Sequence, residues 1–120
     1  MIIAITAQGE IPAAILDARF GRAPFFMLWD TEREQWRSFS NQQNFDAEQG
    51  AGIQAAQQVI DAQANVVITG HCGPKAFRLL QAAGVKVYIG TAGTVEAVLA
   101  AFEAKTLTPL AQSDVEGHWA

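Results

Sequence analysis

The chain has 120 residues, half of them hydrophobic and 17% charged, with a net charge of -4. These are globular values that exclude a disordered chain, and the length is enough for one core without staples, so residues 1–120 are expected to form a single domain. The acidic balance lacks any basic run or basic stripe interleaved with aromatics, which argues against nucleic acid or a membrane surface as partner, and the one cysteine points to a reducing, cytoplasmic setting.

Ile2-Ile3-Ala4-Ile5-Thr6 predicts a first strand, apolar enough to be central. It has no basic flank and is far too short for a signal peptide or a membrane span. A loop leaves it through Gly9 and Pro12, and residues 13–19 have room for a turn of helix. Asp17-Ala18-Arg19-Phe20-Gly21-Arg22 then places an aromatic and a glycine between two arginines, just ahead of a strand over 25–30. After a polar turn, residues 35–40 alternate Trp36 and Ser38 with Arg37 and Phe39, as an edge strand would. Short links make these three strands an antiparallel meander. Residues 41–48 read as a polar loop, and Gly50-Ala51-Gly52 leads into a helix from about 53 to 63 with Ile53, Ala56, Val59 and Ile60 on one face.

The most informative stretch follows. Val66, Val67 and Ile68 are β-branched with apolar side chains on both faces, which predicts a strand covered on both sides. Gly70-His71-Cys72-Gly73 breaks it, Pro74 suits the first position of the next helix, and Gly84 ends that helix. The N–H groups at this helix start face whatever lies above the strand, and such a terminus attracts anions. A fifth strand spans 85–89, a second glycine-rich loop spans 90–93, and Thr94 caps a helix through Phe102. Residues 104–120 have weak periodicity, and Pro109 would stop any continuation.

The pattern predicts an α/β fold with a five-stranded mixed sheet in the order 3-2-1-4-5, strand 2 antiparallel. The connections leaving strands 1 and 4 diverge, so the expected ligand crevice lies at their carboxyl ends, beside residues 6–9 and 69–73. Loops 17–22 and 90–93 are expected to wall it.

The residues at that crevice admit several chemistries. His71-Cys72 followed by five residues and Arg78 has the spacing of cysteine-dependent phosphatases, although Pro74 removes an N–H donor that a phosphate cradle needs and Leu79 stands where those enzymes carry a hydroxyl. Cys72 and His71 are also good ligands for copper or another thiophilic metal, and His118 in the tail offers a third. The bland reading makes Cys72 a small buried hydrophobe. Arg19, Arg22, Lys75 and Arg78 bring positive charge to the crevice or are solvated loop residues. Trp29 and Trp36 are expected to pack in or on the sheet. Gly50-Ala51-Gly52 lacks the third glycine and the preceding strand of a dinucleotide fingerprint.

Phe20-Gly21-Arg22-Ala23-Pro24-Phe25-Phe26, Asn41, Gly50-Ala51-Gly52, Val67-Ile68-Thr69-Gly70, Gly73-Pro74-Lys75-Ala76-Phe77 and Ala83-Gly84-Val85-Lys86-Val87-Tyr88 together resemble the dinitrogenase iron-molybdenum cofactor biosynthesis family, from residue 1 to about 107. The resemblance implies a ribonuclease H-like three-layer α/β/α fold. It also implies a non-catalytic carrier of molybdenum-containing metal-sulfur clusters, either a molybdenum-copper sulfide or a related molybdenum-iron-sulfur species, exchanged with a donor or acceptor protein. The single-domain length, the Gly70 to Gly73 loop and the end at residues 115–119 look closest to the small stand-alone members. A C-x3-C-x2-C triad is missing, so radical chemistry does not carry over, and one cysteine cannot anchor an iron-sulfur cluster through four thiolates. The first strand has no carboxylate, which sets aside the two-metal nucleases of similar fold.

The expected site therefore comprises Arg19, Phe20, Gly21, Arg22, Gly70, His71, Cys72, Gly73 and Lys75, with His71 and Cys72 as candidate metal ligands and no catalytic residue. Positions 71 and 72 lie outside the matching motifs. The alternatives are the Cys72 phosphatase and a protein-interaction module without metal.

Overall fold

A computed structural model describes residues 1–41, 50–90 and 93–111. The expected loop at 42–48, Thr91 and Ala92 of the second glycine-rich loop, and the tail with His118 and Trp119 lie outside the described residues.

The chain runs β1 (Ile2–Ala7), β2 (Phe25–Asp30), β3 (Gln35–Ser40), α1 (Ala51–Asp61), β4 (Val66–Thr69), α2 (Pro74–Ala82), β5 (Lys86–Ile89), α3 (Val95–Glu103) and β6 (Thr108–Pro109). One mixed sheet has the order β3-β2-β1-β4-β5-β6. β1 pairs antiparallel with β2 and parallel with β4, β2 pairs antiparallel with β3, and β4 pairs parallel with β5. The order 3-2-1-4-5 and the reversal of strand 2 are as expected, but the sheet has six strands rather than five. After α3 the chain turns through Lys105, at φ 61°, and lays Thr108 and Pro109 antiparallel along β5. Two residues have no periodicity to read, and a proline is tolerated there because an edge strand does not need its missing N–H.

Helices cover both faces. Ala4, Val67 and Val87 face a layer made by Ala55, Ala56 and Val59 of α1 and Ala76, Phe77 and Leu80 of α2. Ile3, Ile5, Val66 and Ile68 face Val95, Val98 and Leu99 of α3, joined by Leu16. All four residues of β4 are buried, which is why it reads as a continuous apolar run. Trp29 and Trp36 face each other across β2 and β3 with ring centroids 4.9 Å apart, packing on the sheet as expected. Gly84 stops α2 at φ 79°, and the Thr94 hydroxyl caps α3 by accepting the Ala97 N–H at 3.1 Å.

Two local expectations are corrected. Residues 13–19 hold no helix: Ala7 pairs with Leu16 and Ile15 with Thr94 in isolated bridges, so the main chain there is extended. α1 starts at Ala51, and its buried face is Ala51, Gly52, Ala55, Ala56 and Val59, while Ile53 is exposed. Close approach of α1 to α2 favours small residues on the buried face. None of the helices among the described residues is long and apolar enough to cross a membrane.

Replacing Val59 by Ala is expected to cost about 2 kcal/mol of stability, whereas Ile53→Ala should change it by less than about 0.5 kcal/mol, as measured by denaturant unfolding. At the β2–β3 turn, Asp30 accepts the N–H groups of Glu32 and Arg33 at 2.9 and 3.1 Å. Chiefly the Arg33 amide holds its carboxyl below the usual range. That contribution is present above the ordinary carboxylate range and is lost as pH falls through the depressed value, so Asp30→Asn should flatten the acid limb of a stability–pH curve.

Candidate functional site

β1, β3, β4 and β5 run the same way, so their carboxyl ends share one edge of the sheet. α1 enters β4 through a short link, α2 leaves β4 and α3 leaves β5, and all three helices therefore begin at that edge. Their macrodipoles bring partial positive charge to it. The first turns of α1 and α2 carry no acidic residue to offset this, and α2 carries Lys75 there instead. A cation at a helix start runs against the usual preference. The amides of Lys75 and Ala76 precede the first i→i−4 bond of α2, which the Phe77 N–H makes to the Gly73 carbonyl at 3.0 Å.

The loops after β1 and β4 are joined edge to edge at this place. The His71 N–H donates to the Ala18 carbonyl at 2.7 Å and the Phe20 N–H to the His71 carbonyl at 3.2 Å, pairing Arg19 with His71 in a parallel bridge. This approach requires Gly70, where a Cβ would stand 2.7 to 2.8 Å from the Cα, Cβ and carbonyl oxygen of Ala18. Below the bridge, the Asp17 N–H donates to the Thr6 carbonyl at 3.0 Å, and the Thr6 hydroxyl donates to the Asp17 carbonyl at 2.6 Å and lies 3.0 Å from the Thr69 hydroxyl. The Gly90 N–H reaches the Thr69 carbonyl and the Leu16 N–H the Gly93 carbonyl, so the described ends of the second glycine-rich loop adjoin the same place.

The buried polar residues of the described chain are Thr6, Asp17, Asn41 and Thr69, and all four serve this edge. Asn41 donates its side-chain N–H to the carbonyls of Gly21 and Ala23 at 3.2 and 2.8 Å, holding the loop that carries Arg22. Asp17 accepts the Arg19 main-chain N–H at 2.9 Å and its guanidinium through Nε and Nη2 at 3.2 Å each. The Asp17 side chain is 2% exposed and the Arg19 side chain 44%.

The expected site residues separate into two sets. Arg19, Gly70, His71, Gly73 and Lys75 lie along the joined loops, with Arg19, His71 and Lys75 exposed and Arg22 half-buried on the adjoining stretch. Phe20 and Cys72 are fully buried in the layer beneath, where the Phe20 ring meets Phe26 edge to face at a centroid distance of 5.5 Å; Gly21 is buried as well. The Cys72 thiol lies 3.8 Å from the Gly73 carbonyl. With the thiol in the core and α2 already begun at Pro74, the Cys72 to Arg78 spacing does not build a phosphate cradle. Among the described residues no three of His, Cys, Asp and Glu come together as a metal site. Sequence reasoning placed Thr6 and Thr69 beside the crevice and Asn41 and Thr69 in the family motifs, but it counted none of Thr6, Asp17, Asn41 and Thr69 as a site residue. Asp17 had a local signal, because an Asp that accepts the N–H two residues on is an Asx turn.

Two grooves among the described residues lie elsewhere. One of about 610 Å³ runs between Tyr88, Phe102 and Leu107 beside Met1, and one of about 320 Å³ lies between Phe77, Val85 and Leu110. Neither contains a residue of the joined loops.

A mixed sheet covered by helices on both faces, with the buried polar residues of the described chain at the carboxyl edge and helix starts gathered there, defines an α/β domain with its topological switch point at that edge. The sequence profile of the dinitrogenase iron-molybdenum cofactor family matches residues 1–105, and the chain belongs to that family. Among solved structures, the apo form of the orange protein from Desulfovibrio gigas superposes with a TM-score of 0.91 at 36% identity, over 95% of this chain and 96% of that one. A NifB-like protein from Thermotoga superposes with a TM-score of 0.85 at 32% identity, over 95% and 97% of the two chains. A protein from Methanocaldococcus jannaschii, at 12% identity and a TM-score of 0.67, shares the fold alone. No curated protein sequence matches the chain.

Gly70→Ala is expected to cost about 3 kcal/mol, because main chain rather than a flexible side chain would have to move, and thermal unfolding will measure it. The thiol of Cys72 should react with an aromatic disulfide reagent at least about 100-fold more slowly in the native protein than in denaturant, since access requires opening of the core.

Proposed function

We propose that the protein is a non-catalytic carrier of an anionic molybdenum-containing metal-sulfur cluster, received at the carboxyl edge of β1 and β4. The observation that carries this reading is the gathering of all the buried polar side chains of the described chain around the strip where Arg19 pairs with His71. Family membership supplies the chemical class of the cargo. Its fit to the chain rests on physical grounds: an anion gains from the three helix starts, from the amides of Lys75 and Ala76, and from the charges of Arg19, Arg22 and Lys75.

Charge and hydrogen bonding, rather than thiolate ligation, hold the cargo in this reading. Cys72 is enclosed by the core and supports the floor of the site, whereas His71 is exposed on the strip and is within the set that meets the cargo. Within that set, the mixed molybdenum-copper sulfide is the species we favour over a molybdenum-iron-sulfur one, because a preformed sulfide supplies its own bridging ligands and asks the protein only for counter-charge and N–H donors. A reducing cytoplasm suits both a single cysteine kept as its thiol and a sulfide cargo. Such a carrier implies a protein that delivers the cluster and another that takes it.

Metal-free protein incubated anaerobically with tetrathiomolybdate and copper(I), then desalted, should stay coloured and hold molybdenum and copper in a fixed ratio. A colourless, metal-free product would sink the reading and move attention to protein partners. Arg22→Ala and Lys75→Ala should each weaken retention roughly 3- to 10-fold, more at low salt than at high. Cys72→Ser should lower stability but leave retention unchanged.

A further inference from the structure

We infer that Asp17 is a positioning residue that locks the Arg19 guanidinium into one orientation at the carboxyl edge, so that an oxo- or thio-anion meets a preorganised cation there. This rests on the reading of the edge as an anion site and adds to it the residue that sets its geometry.

Asp17 is an ionisable side chain with almost no exposure, a placement that proteins rarely tolerate without full pairing. Both of its carboxylate oxygens are engaged by one residue. Oδ1 accepts the main-chain N–H and Nε–H of Arg19, and Oδ2 accepts Nη2–H. The main chain of Asp17 is pinned in turn by the two hydrogen bonds it makes with Thr6. Arg19 is thus held twice, through its backbone by the bridge to His71 and through its side chain by Asp17. Because the guanidinium is planar, engaging it along the Nε–Nη2 edge fixes the plane and turns the Nη1 side away from the carboxylate. A partly exposed arginine on a surface loop samples many rotamers; this one has surrendered that freedom before any ligand arrives, which is what preorganisation means for binding.

Simple electrostatics and positioning predict opposite signs for the same substitution. Asp17 places a negative charge beside an anion site, so on charge alone Asp17→Asn would tighten anion binding. If Asp17 acts by orienting Arg19, the same change weakens binding, because an amide N–H in place of Oδ2 faces the Nη2–H donor and releases the guanidinium. The side chains are nearly the same size, which limits the disturbance to the core.

The first measurement needs no cargo. The Nε–H resonance of Arg19 in the metal-free protein should show a backbone-like 15N relaxation pattern, and in Asp17→Asn the pattern of a freely moving side chain; equal rigidity in both would overturn the proposal. The second uses tetrathiomolybdate as probe. Asp17→Asn should bind it roughly 3- to 10-fold more weakly than the unaltered protein, whereas in an Arg19→Ala background the same substitution should leave binding unchanged or tighten it. Equal or tighter binding by Asp17→Asn alone would overturn the proposal. If Asp17→Asn fails to fold, Asp17→Glu replaces it, expected to restore charge but not geometry and to bind weakly; binding equal to the unaltered protein would count against positioning. If the unaltered protein takes up no thiomolybdate, the cargo reading falls, and the relaxation measurement alone decides whether Asp17 holds Arg19.

Discussion

At Gly70 the main chain lies against Ala18 at a distance that admits no side chain, and the rest of the carboxyl edge is built on that contact. The absent Cβ lets the turn after β4 approach the loop after β1 closely enough for His71 and Arg19 to pair as strand neighbours. Once paired, the loop residues have places for their polar groups: Asp17 beneath the bridge, bonded to Thr6, and Thr69 beside Thr6. A loop of this length would otherwise leave donors and acceptors half-satisfied at the mouth of a hydrophobic sheet.

An acidic chain can still offer an anion a favourable place, because binding responds to local fields rather than to the net charge of -4. At the carboxyl edge three helix starts and Arg19, Arg22 and Lys75 bring positive charge, against Asp17, which pairs with Arg19, and Glu96 in the first turn of α3. Lys75 stands where a helix would ordinarily prefer an acid, and the unfavourable placement is intelligible if the first turn of α2 faces a negative group. The same edge shows why Cys72, though the most reactive residue type in the chain, stands apart from the exposed set. It lies under the loop, buried in one layer with Phe20, Ala76 and Phe77.

Similarity to the orange protein and to the NifB-like protein of Thermotoga extends over almost the whole chain at 36% and 32% identity. Shared architecture at that level concerns the sheet and its helices. On the joined loops of this chain Arg19, His71 and Lys75 are exposed, above the contacts made by Asp17 and Gly70.

Much of the framework was legible in the amino-acid sequence, because it rests on local physics. Three β-branched residues in a row specified a central strand, Pro74 and Gly84 bounded a helix, Thr94 capped another, and short links forced the meander, so the order of five strands and the location of the switch point followed. β6 was not legible, since two residues carry no pattern and their pairing with β5 is decided by where α3 ends. The inward face of α1 went to its alanines rather than to Ile53, because its spacing from α2 is a tertiary quantity. Arg19 and Lys75 were readable as charged groups and His71 as a candidate metal ligand near a switch point, but their separation from Phe20 and Cys72 into an exposed strip and a buried floor was not. Asp17 and Gly70 show the reason most plainly: one is an ordinary acidic loop residue and the other an ordinary glycine until the fold brings Arg19 onto the first and Ala18 onto the second.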